Sequence, residues 1–247
     1  MENSNEKTAS NYWGLWGTIG FSLLILTSFI IVQTIVFFIY AQSKLAEHSN
    51  VNEEVFLNSL LSNGDAISIA EIFAAAFGIA ITFFFIYLHK RQSIEDYLLL
   101  HAITVRTTLI YLALMAIAMI LMAIVATISN HPTPQVMLDI YHSAKHPALL
   151  WFALIVAAPF FEEILFRGFL FEGLRHSSVG LIPTAIITSA LWASIHLQYG
   201  LYEIVIIFFI GLLLSYAKVK SQSLYVPIAM HLLMNLVATL EIALNLS

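Results

Sequence analysis

Residues 148–170 read ALLWFALIVAAPFFEEILFRGFL, a run in which only Glu162, Glu163 and Arg167 are charged. A helix of about 20 mostly apolar residues crosses the hydrocarbon core of a bilayer. This run is therefore long and apolar enough to span a membrane. An ionisable residue at the centre of such a span costs at least ~2.5–3.5 kcal/mol on insertion scales, so the three charges indicate a functional site.

The whole chain shares this apolar character. Of its 247 residues, 60% are hydrophobic and 10% are charged, whereas a soluble domain averages about 45–50% and about 25%. This composition excludes a soluble enzyme, a disordered chain and a nucleic-acid-binding protein. The net charge of -5 offers no basic field for a polyanion. The chain has no cysteine, which excludes disulfides, thiol nucleophiles and Cys-ligated zinc.

Apolar runs of membrane-spanning length, each bounded by polar clusters, occur along the whole chain. They predict an all-α fold, a polytopic transmembrane helix bundle of about seven spans (roughly six to eight allowed), in a single domain over residues 1–247. Its solvent is the lipid bilayer. The predicted spans are Trp13 to Tyr40, Ala66 to Leu88, Thr107 to Ile128, Ala148 to Leu170, Gly180 to Leu197, Leu201 to Ala217 and Leu224 to Leu244.

The distribution of basic residues predicts the orientation, because cytoplasmic loops retain Lys and Arg. If the N-terminus is inside, only Lys44 and Lys145 lie on the outer side, and Arg167 lies within a span. We therefore expect the N-terminus inside and the C-terminus outside, in a multi-pass protein of the cell membrane. The residues expected on the inner side are Lys7, Lys90, Arg91, Arg106, Arg175, Lys218 and Lys220.

Helical spacing groups the polar residues within the spans. Glu163 and Arg167 are four residues apart, which places a carboxylate and a guanidinium on one face. Glu162 is rotated by about 100° and is free for another partner. His231 and Asn235 are again four residues apart on the seventh predicted span.

Depth in the membrane also groups these residues. Counting about 1.5 Å per residue from the nearest inner-side anchor gives roughly 20 Å for Glu162 and roughly 24 Å for His196. The same count gives roughly 17 Å for His231 and roughly 23 Å for Asn235. Four polar groups from three predicted spans therefore fall in one layer. Trp192 precedes His196 by one turn, where its ring can pack against the imidazole.

A carboxylate that activates water, with imidazole and amide donors that stabilise an oxyanion, is a combination suited to peptide-bond hydrolysis. The sequence has no His-Glu-x-x-His zinc motif and no Gly-x-Ser-x-Gly nucleophile elbow. Hydrolysis by a thiol is excluded as well, because there is no cysteine.

Three motifs carry a resemblance to a known family. Residues 162–167 read EEILFR and match the pattern EExxxR, Trp192 and His196 match an aromatic residue followed four residues later by histidine, and His231 to Asn235 match HxxxN. In these motifs the chain resembles the CPBP family, the CAAX-protease and bacteriocin-processing intramembrane endopeptidases also called the Abi family. Phenylalanine is commoner than tryptophan at the position of Trp192. The resemblance covers roughly residues 148–247.

The resemblance implies a role for each matched residue. Glu162 would act with His196 as the general base on the attacking water. His231 and Asn235 would form the oxyanion hole. The residues that support this arrangement would be Glu163, Arg167 and Trp192. The substrate would be a membrane-associated peptide or protein, such as a prenylated CAAX-type tail, a bacteriocin or signalling-peptide precursor, or an anchored membrane protein.

The resemblance leaves the use of a metal open. Glu162, His196 and His231 could hold zinc with water as the fourth ligand. A site that keeps both imidazoles for hydrogen bonding needs no metal, and we expect water activation without one. The short loops favour a bacterial source.

Less specific interpretations of the same residues remain. Glu163 and Arg167 could form a purely structural ion pair, and the two histidines could only join helices by hydrogen bonds. The alternative function is then a non-catalytic membrane immunity or regulatory protein that retains the fold. A secondary carrier is a third hypothesis, which the lack of an inverted repeat disfavours.

Overall fold

The computed structural model describes residues 11–47, 56 and 59–244, and within these residues the chain forms helices and no β-strand. This confirms the predicted all-helical class. The helices are α1 (Leu15–Glu47), α2 (Gly64–His89), α3 (Ile94–Leu98), α4 (Val105–Ile128), α5 (Gln135–Ser143), α6 (Pro147–Arg175), α7 (Leu181–Ser194), α8 (Leu201–Ser221) and α9 (Tyr225–Ala243).

Six of the helices in this part of the chain, α1, α2, α4, α6, α8 and α9, are long and apolar enough to cross a membrane. They confirm a polytopic membrane bundle, at the lower end of the range expected from the sequence. The fifth predicted span corresponds to α7, which has 14 residues and rises only about 21 Å. The inside location of the N-terminus stays a prediction.

Two expectations about the short spans are corrected. His196 lies in the turn after α7 and not inside a helix, because its backbone N–H bonds to the carbonyl of Ala193, three residues back, which tightens and ends the helix. Lys218 lies inside α8 and not in a loop, because that helix continues to Ser221, and the lysine is fully buried. Lys218 therefore no longer counts among the exposed basic residues expected on the inner side.

Side-chain caps define where several helices begin. The Oδ1 of Asn63 accepts a hydrogen bond from the backbone of Ala66 at 3.0 Å, and Thr104 accepts one from Thr107 at 3.2 Å. Such caps satisfy N–H groups that have no partner within the helix. They start α2 and α4 two residues earlier than the apolar runs predicted.

Contacts at two levels show that α2 and α6 run side by side in the same direction. Near the start of both helices, Asp65 accepts from the backbone N–H of His146 at 3.0 Å. Further along, Gly78 of α2 approaches Phe161 of α6 so closely that a Cβ on the glycine would collide with the ring. At the opposite end of the bundle, the backbone N–H of Leu224 donates to the carbonyl of Leu99 at 2.9 Å, so α9 begins where α4 begins.

The central element of this bundle is α6. Half of its apolar window is buried inside the protein, against 6% for α4, which is peripheral. The side chains of α6 therefore meet α2, α7, α8 and α9 within the protein, and this burial explains why charged residues on α6 require partners from the other helices.

Candidate active site

Glu162 and Glu163 lie where the geometry of α6 changes. The helix contains two π-helical segments, Ala153–Ala157 and Glu163–Leu170, and Glu162 ends the α-helical turn between them. In a π segment an N–H bonds to the carbonyl five residues back, and such segments are frequent at functional sites. The two adjacent carboxylates have different sets of partners.

Glu163 is the centre of a buried charge cluster. Its Oε1 accepts from Nη1 of Arg167 at 2.9 Å and lies 2.9 Å from Nδ1 of His231. Glu163 and Arg167 are 0% exposed, and the His231 side chain is 3% exposed. Because an ionised carboxylate can only accept, Nδ1 of His231 carries the hydrogen, and Nε2 is an acceptor in the neutral ring.

Glu162 is the more open of the two carboxylates, with 14% of its side chain exposed. Its Oε2 accepts from Nε1 of Trp192 at 2.5 Å. The same oxygen lies 3.9 Å from Nε2 of His231, beyond hydrogen-bonding distance. One face of the carboxylate is thus fixed by an indole while an imidazole nitrogen stands nearby.

Arg167 connects the two carboxylates through Trp192. Its guanidinium carbon lies 4.1 Å from the centre of the tryptophan ring, a distance at which a cation and an aromatic face attract each other. The Trp192 ring also packs edge-on against His231, with centroids 5.2 Å apart. The resulting ring of side chains from α6, α7 and α9 comprises Glu162, Glu163, Arg167, Trp192 and His231.

His196 contacts this ring through Trp192. The two aromatic centroids are 5.4 Å apart in an edge-on arrangement, and Nδ1 of His196 lies 2.9 Å from the carbonyl oxygen of Trp192. A carbonyl only accepts, so Nδ1 carries the hydrogen and leaves Nε2 of the neutral ring as an acceptor. Within the described ranges the imidazole forms no hydrogen bond with Glu162. The structure therefore brings His231 closer to that carboxylate than His196.

Asn235 supplies a hydrogen-bond donor to a backbone carbonyl of α6 that lacks its α-helical partner. In the first π segment the N–H of Ala158 bonds to Ala153, five residues back, so Leu154 loses its α-helical donor. The donor five residues after Leu154 would be Pro159, which has no N–H. The amide Nδ2 of Asn235 donates to the Leu154 carbonyl at 2.7 Å instead. The residue expected in an oxyanion hole thus has one of its two amide hydrogens engaged by the backbone.

Glu71 is a polar residue near the site that none of the three sequence motifs includes. Because α2 begins at Gly64, Glu71 lies two turns inside the helix, where its Oε2 accepts from Nε2 of Gln33 on α1 at 3.0 Å. It is close enough to Glu162 for the two carboxyl groups to interact electrostatically. The capping residue Asn63 is the signal that could have predicted this earlier helix start.

Tyr199 is a second residue that the motifs did not indicate. It lies in the turn between α7 and α8, with its ring stacked against His196 at a centroid distance of 6.1 Å. Burial raises the pKa of the Tyr199 phenol, and the charge of Glu162 acts in the same direction. The hydroxyl therefore stays protonated and can donate a hydrogen bond next to the site.

The side chains in the described part of the chain do not form a ready metal site. No group of three or more His, Cys, Asp or Glu residues among them is placed so that it could hold a metal ion. The nitrogen Nδ1 is turned toward Glu163 in His231 and toward a backbone carbonyl in His196. The residues expected as zinc ligands, Glu162, His196 and His231, do not converge on one point.

Comparison with known proteins finds a family that part of the chain resembles. Residues 144–237 match the family model described as Rce1-like, type II CAAX prenyl endopeptidase. Over this segment the chain is similar to that family. The match contains all three motifs and confirms the CAAX-protease resemblance that they carry.

One curated relative has no function in its name. An uncharacterized 24.3 kDa protein of Escherichia coli is 33% identical over 81 residues, which are 32% of this chain and 37% of that protein. The chain thus matches little more than a third of that relative's length. No solved structure gives a significant match.

Proposed function

We propose that the protein is an intramembrane endopeptidase that hydrolyses a peptide bond in a membrane-associated peptide or protein of the bacterial cell membrane. The observation that carries the proposal is the pair formed by Glu162 and His231. The carboxylate oxygen and the imidazole nitrogen are 3.9 Å apart, too far for a direct hydrogen bond and suitable for a single water bonded to both.

Glu162 is the general base. Its carboxylate takes a proton from the bound water while the water oxygen attacks the carbonyl carbon of the scissile bond. When the tetrahedral intermediate collapses, the C–N bond breaks and the proton held by Glu162 passes to the leaving amine. Trp192 supports this step, because its N–H orients the carboxylate without competing for the water.

The two histidines supply a further hydrogen-bond acceptor and a donor for the reaction. His196 donates its Nδ1 hydrogen to a backbone carbonyl. Nε2 of the neutral ring can therefore accept a hydrogen bond from the second hydrogen of the attacking water. His231 donates a hydrogen bond from Nδ1 to Glu163 and donates from Nε2 to the oxyanion as an imidazolium, whose second proton comes from solvent before the substrate binds and stays on the ring throughout the cycle. Glu163 stabilises that imidazolium as the aspartate does in a serine-protease triad.

Asn235 has the smaller share in this mechanism. One of its two amide hydrogens is held by the Leu154 carbonyl, so only the other could be donated to an oxyanion. We infer that its main contribution is to hold α9 against the first π segment of α6.

Water activation in this proposal uses protein groups alone. Purified active protein should therefore contain no stoichiometric zinc by elemental analysis, and a chelator should leave its activity unchanged. Near-stoichiometric zinc, together with loss of activity on chelation and recovery on zinc addition, would contradict this part of the proposal.

Comparative proteomics of membrane peptides tests the function and identifies the substrate. Cells that carry wild-type protein should contain cleaved membrane-associated peptides that are missing, with the uncleaved precursor present, in cells that carry Glu162→Gln. Prenylated tails, bacteriocin or signalling-peptide precursors and anchored proteins would each give distinct fragments. Full biological function with Glu162 and His196 both replaced would instead favour a non-catalytic immunity or regulatory protein.

A further inference from the structure

Lys218 is a buried cation that the mechanism above does not use. It lies in α8 with 1% of its side chain exposed. Its Nζ donates both to the carbonyl oxygen of Arg167 and to Oε1 of Glu172. Oε2 of Glu172 accepts from Nε of Arg175 at 2.8 Å, so this carboxylate has a second cationic partner.

The Arg167 carbonyl is available because of the second π segment. The N–H of Phe171 would bond to Arg167 in a regular α-helix, but it bonds to the carbonyls of Gly168 and Phe166, three and five residues back. A buried carbonyl without a donor is destabilising. Lys218 supplies that donor, just as Asn235 supplies one to Leu154 at the first π segment.

The residue that Lys218 holds is the one that organises the candidate site. The side chain of Arg167 pairs with Glu163, and Glu163 accepts from His231. A change in the local helix geometry at Arg167 would rotate its guanidinium relative to Glu163. The contact of Lys218 with the backbone therefore acts on the imidazole through two intermediate side chains.

We propose that Lys218 is a positioning residue of the peptidase, which stabilises the π geometry of Glu163–Leu170 and so aligns Arg167 and Glu163 with His231. The catalytic part of this proposal rests on the proposed function. The ordinary alternative is that Lys218 only neutralises Glu172, in which case its contact with the Arg167 carbonyl has no consequence for catalysis.

Two variants separate these roles. In Glu172→Gln the lysine keeps its donor to Arg167 and loses its counter-ion. In the double variant Lys218→Met, Glu172→Gln, both buried charges are removed and the Arg167 carbonyl loses its donor. Lys220→Met is the matched control, because Lys220 is an exposed lysine in the last turn of the same helix.

The test combines peptidase kinetics on folded, monodisperse protein with amide hydrogen exchange of residues 163–170. We expect the double variant to lower kcat on the order of tenfold at an unchanged KM and to speed exchange in this segment. Glu172→Gln and Lys220→Met should retain wild-type kcat and exchange. If the double variant does not fold, Lys218→Met alone replaces it, because Arg175 still pairs with Glu172 there.

Wild-type kcat and wild-type exchange in the variant without the lysine would overturn the proposal. A loss of kcat in Glu172→Gln as large as the loss in the variant without the lysine would overturn it as well. The exchange measurement needs no substrate. If the wild-type protein cleaves no peptide, the peptidase function is refuted. Faster exchange in the variant without the lysine would still support the role of Lys218 in holding the π segment.

Discussion

At the scale of single residues, the indole of Trp192 is the group that gives Glu162 a different hydrogen-bond partner from Glu163. It donates to Glu162 and lies under the guanidinium of Arg167. Phenylalanine, which is commoner at this position in the CPBP family, would keep the aromatic face and lose the donor. Among the described residues, the orientation of Glu162 thus depends on a hydrogen bond from the neighbouring helix.

We therefore predict that Trp192→Phe lowers kcat by at least about tenfold with little change in KM, because a hydrogen bond to a charged group contributes about 1.5–3 kcal/mol. Steady-state kinetics on the identified substrate measures this effect. Trp16→Phe is the control, since Trp16 is 81% exposed. A Trp192→Phe protein with wild-type kcat would mean that the bond does not orient the base.

The sequence predicts contacts within a helix better than contacts between helices. The spacing of Glu163 and Arg167 is enough to predict that they share a face, because helical geometry depends on local sequence. The bond from Trp192 to Glu162 depends on how α7 docks on α6, which no spacing along the chain encodes. Asn235 shows the same limit, since its partner is a carbonyl freed by a π segment.

At the scale of elements, the two π segments of α6 are the feature that shapes the site. Each leaves one backbone carbonyl without its α-helical donor, and a side chain from a C-terminal helix supplies the missing donor in both cases, Asn235 at Leu154 and Lys218 at Arg167. Pro159 contributes to the first gap because it lacks an N–H. The helix that carries the carboxylates is thus held at two points by α8 and α9.

A double-mutant cycle tests this explanation. Asn235→Ala should lower stability by about 1–3 kcal/mol in the wild-type background, because it leaves a buried carbonyl without a donor. In a Pro159→Ala background the loss should be smaller, since residue 159 then has an N–H that can bond to Leu154. Unfolding midpoints of the four proteins measure the coupling, and an equal loss in both backgrounds would contradict the assigned role of Asn235.

The apolar runs predict which elements exist but not their ends. The observed α1, α2, α4, α6, α8 and α9 correspond to predicted spans. Polar caps start α2 and α4 before the apolar run, and polar last turns extend α6 and α8 beyond it, whereas α9 is one residue shorter at each end. The shortness of α7 could not be predicted, since residues 180–197 are mostly apolar and the apolar Ile195 and Leu197 lie in the terminating turn. Hydropathy does not distinguish a helical residue from a residue in an apolar turn.

At the scale of the whole molecule, the directions of the helices and the exposed basic residues bear on the orientation in the membrane. The shared direction of α2 and α6 requires one crossing between them, which α4 provides. With Lys218 buried, the remaining exposed basic residues still favour the end of α2 and the start of α4 as the cytoplasmic side.

The absence of native cysteine makes this orientation directly measurable. We predict that Lys145→Cys reacts with a membrane-impermeant thiol reagent added to intact cells, whereas Arg91→Cys reacts only after the membrane is permeabilised. Both native residues are exposed, so accessibility should depend on the side of the membrane. The reverse labelling pattern would show that the N-terminus lies outside.

The central claim is that the carboxylate of Glu162 activates the water that cleaves the peptide. The most direct measurement is the cleavage rate of the identified substrate by wild-type and Glu162→Gln protein, both purified and reconstituted in lipid, with Glu95→Gln at an exposed position as the control. The amide keeps the acceptor for Trp192 but cannot take a proton, so we predict that Glu162→Gln folds normally and shows no detectable cleavage while Glu95→Gln cleaves at the wild-type rate. Wild-type cleavage by Glu162→Gln would contradict the account.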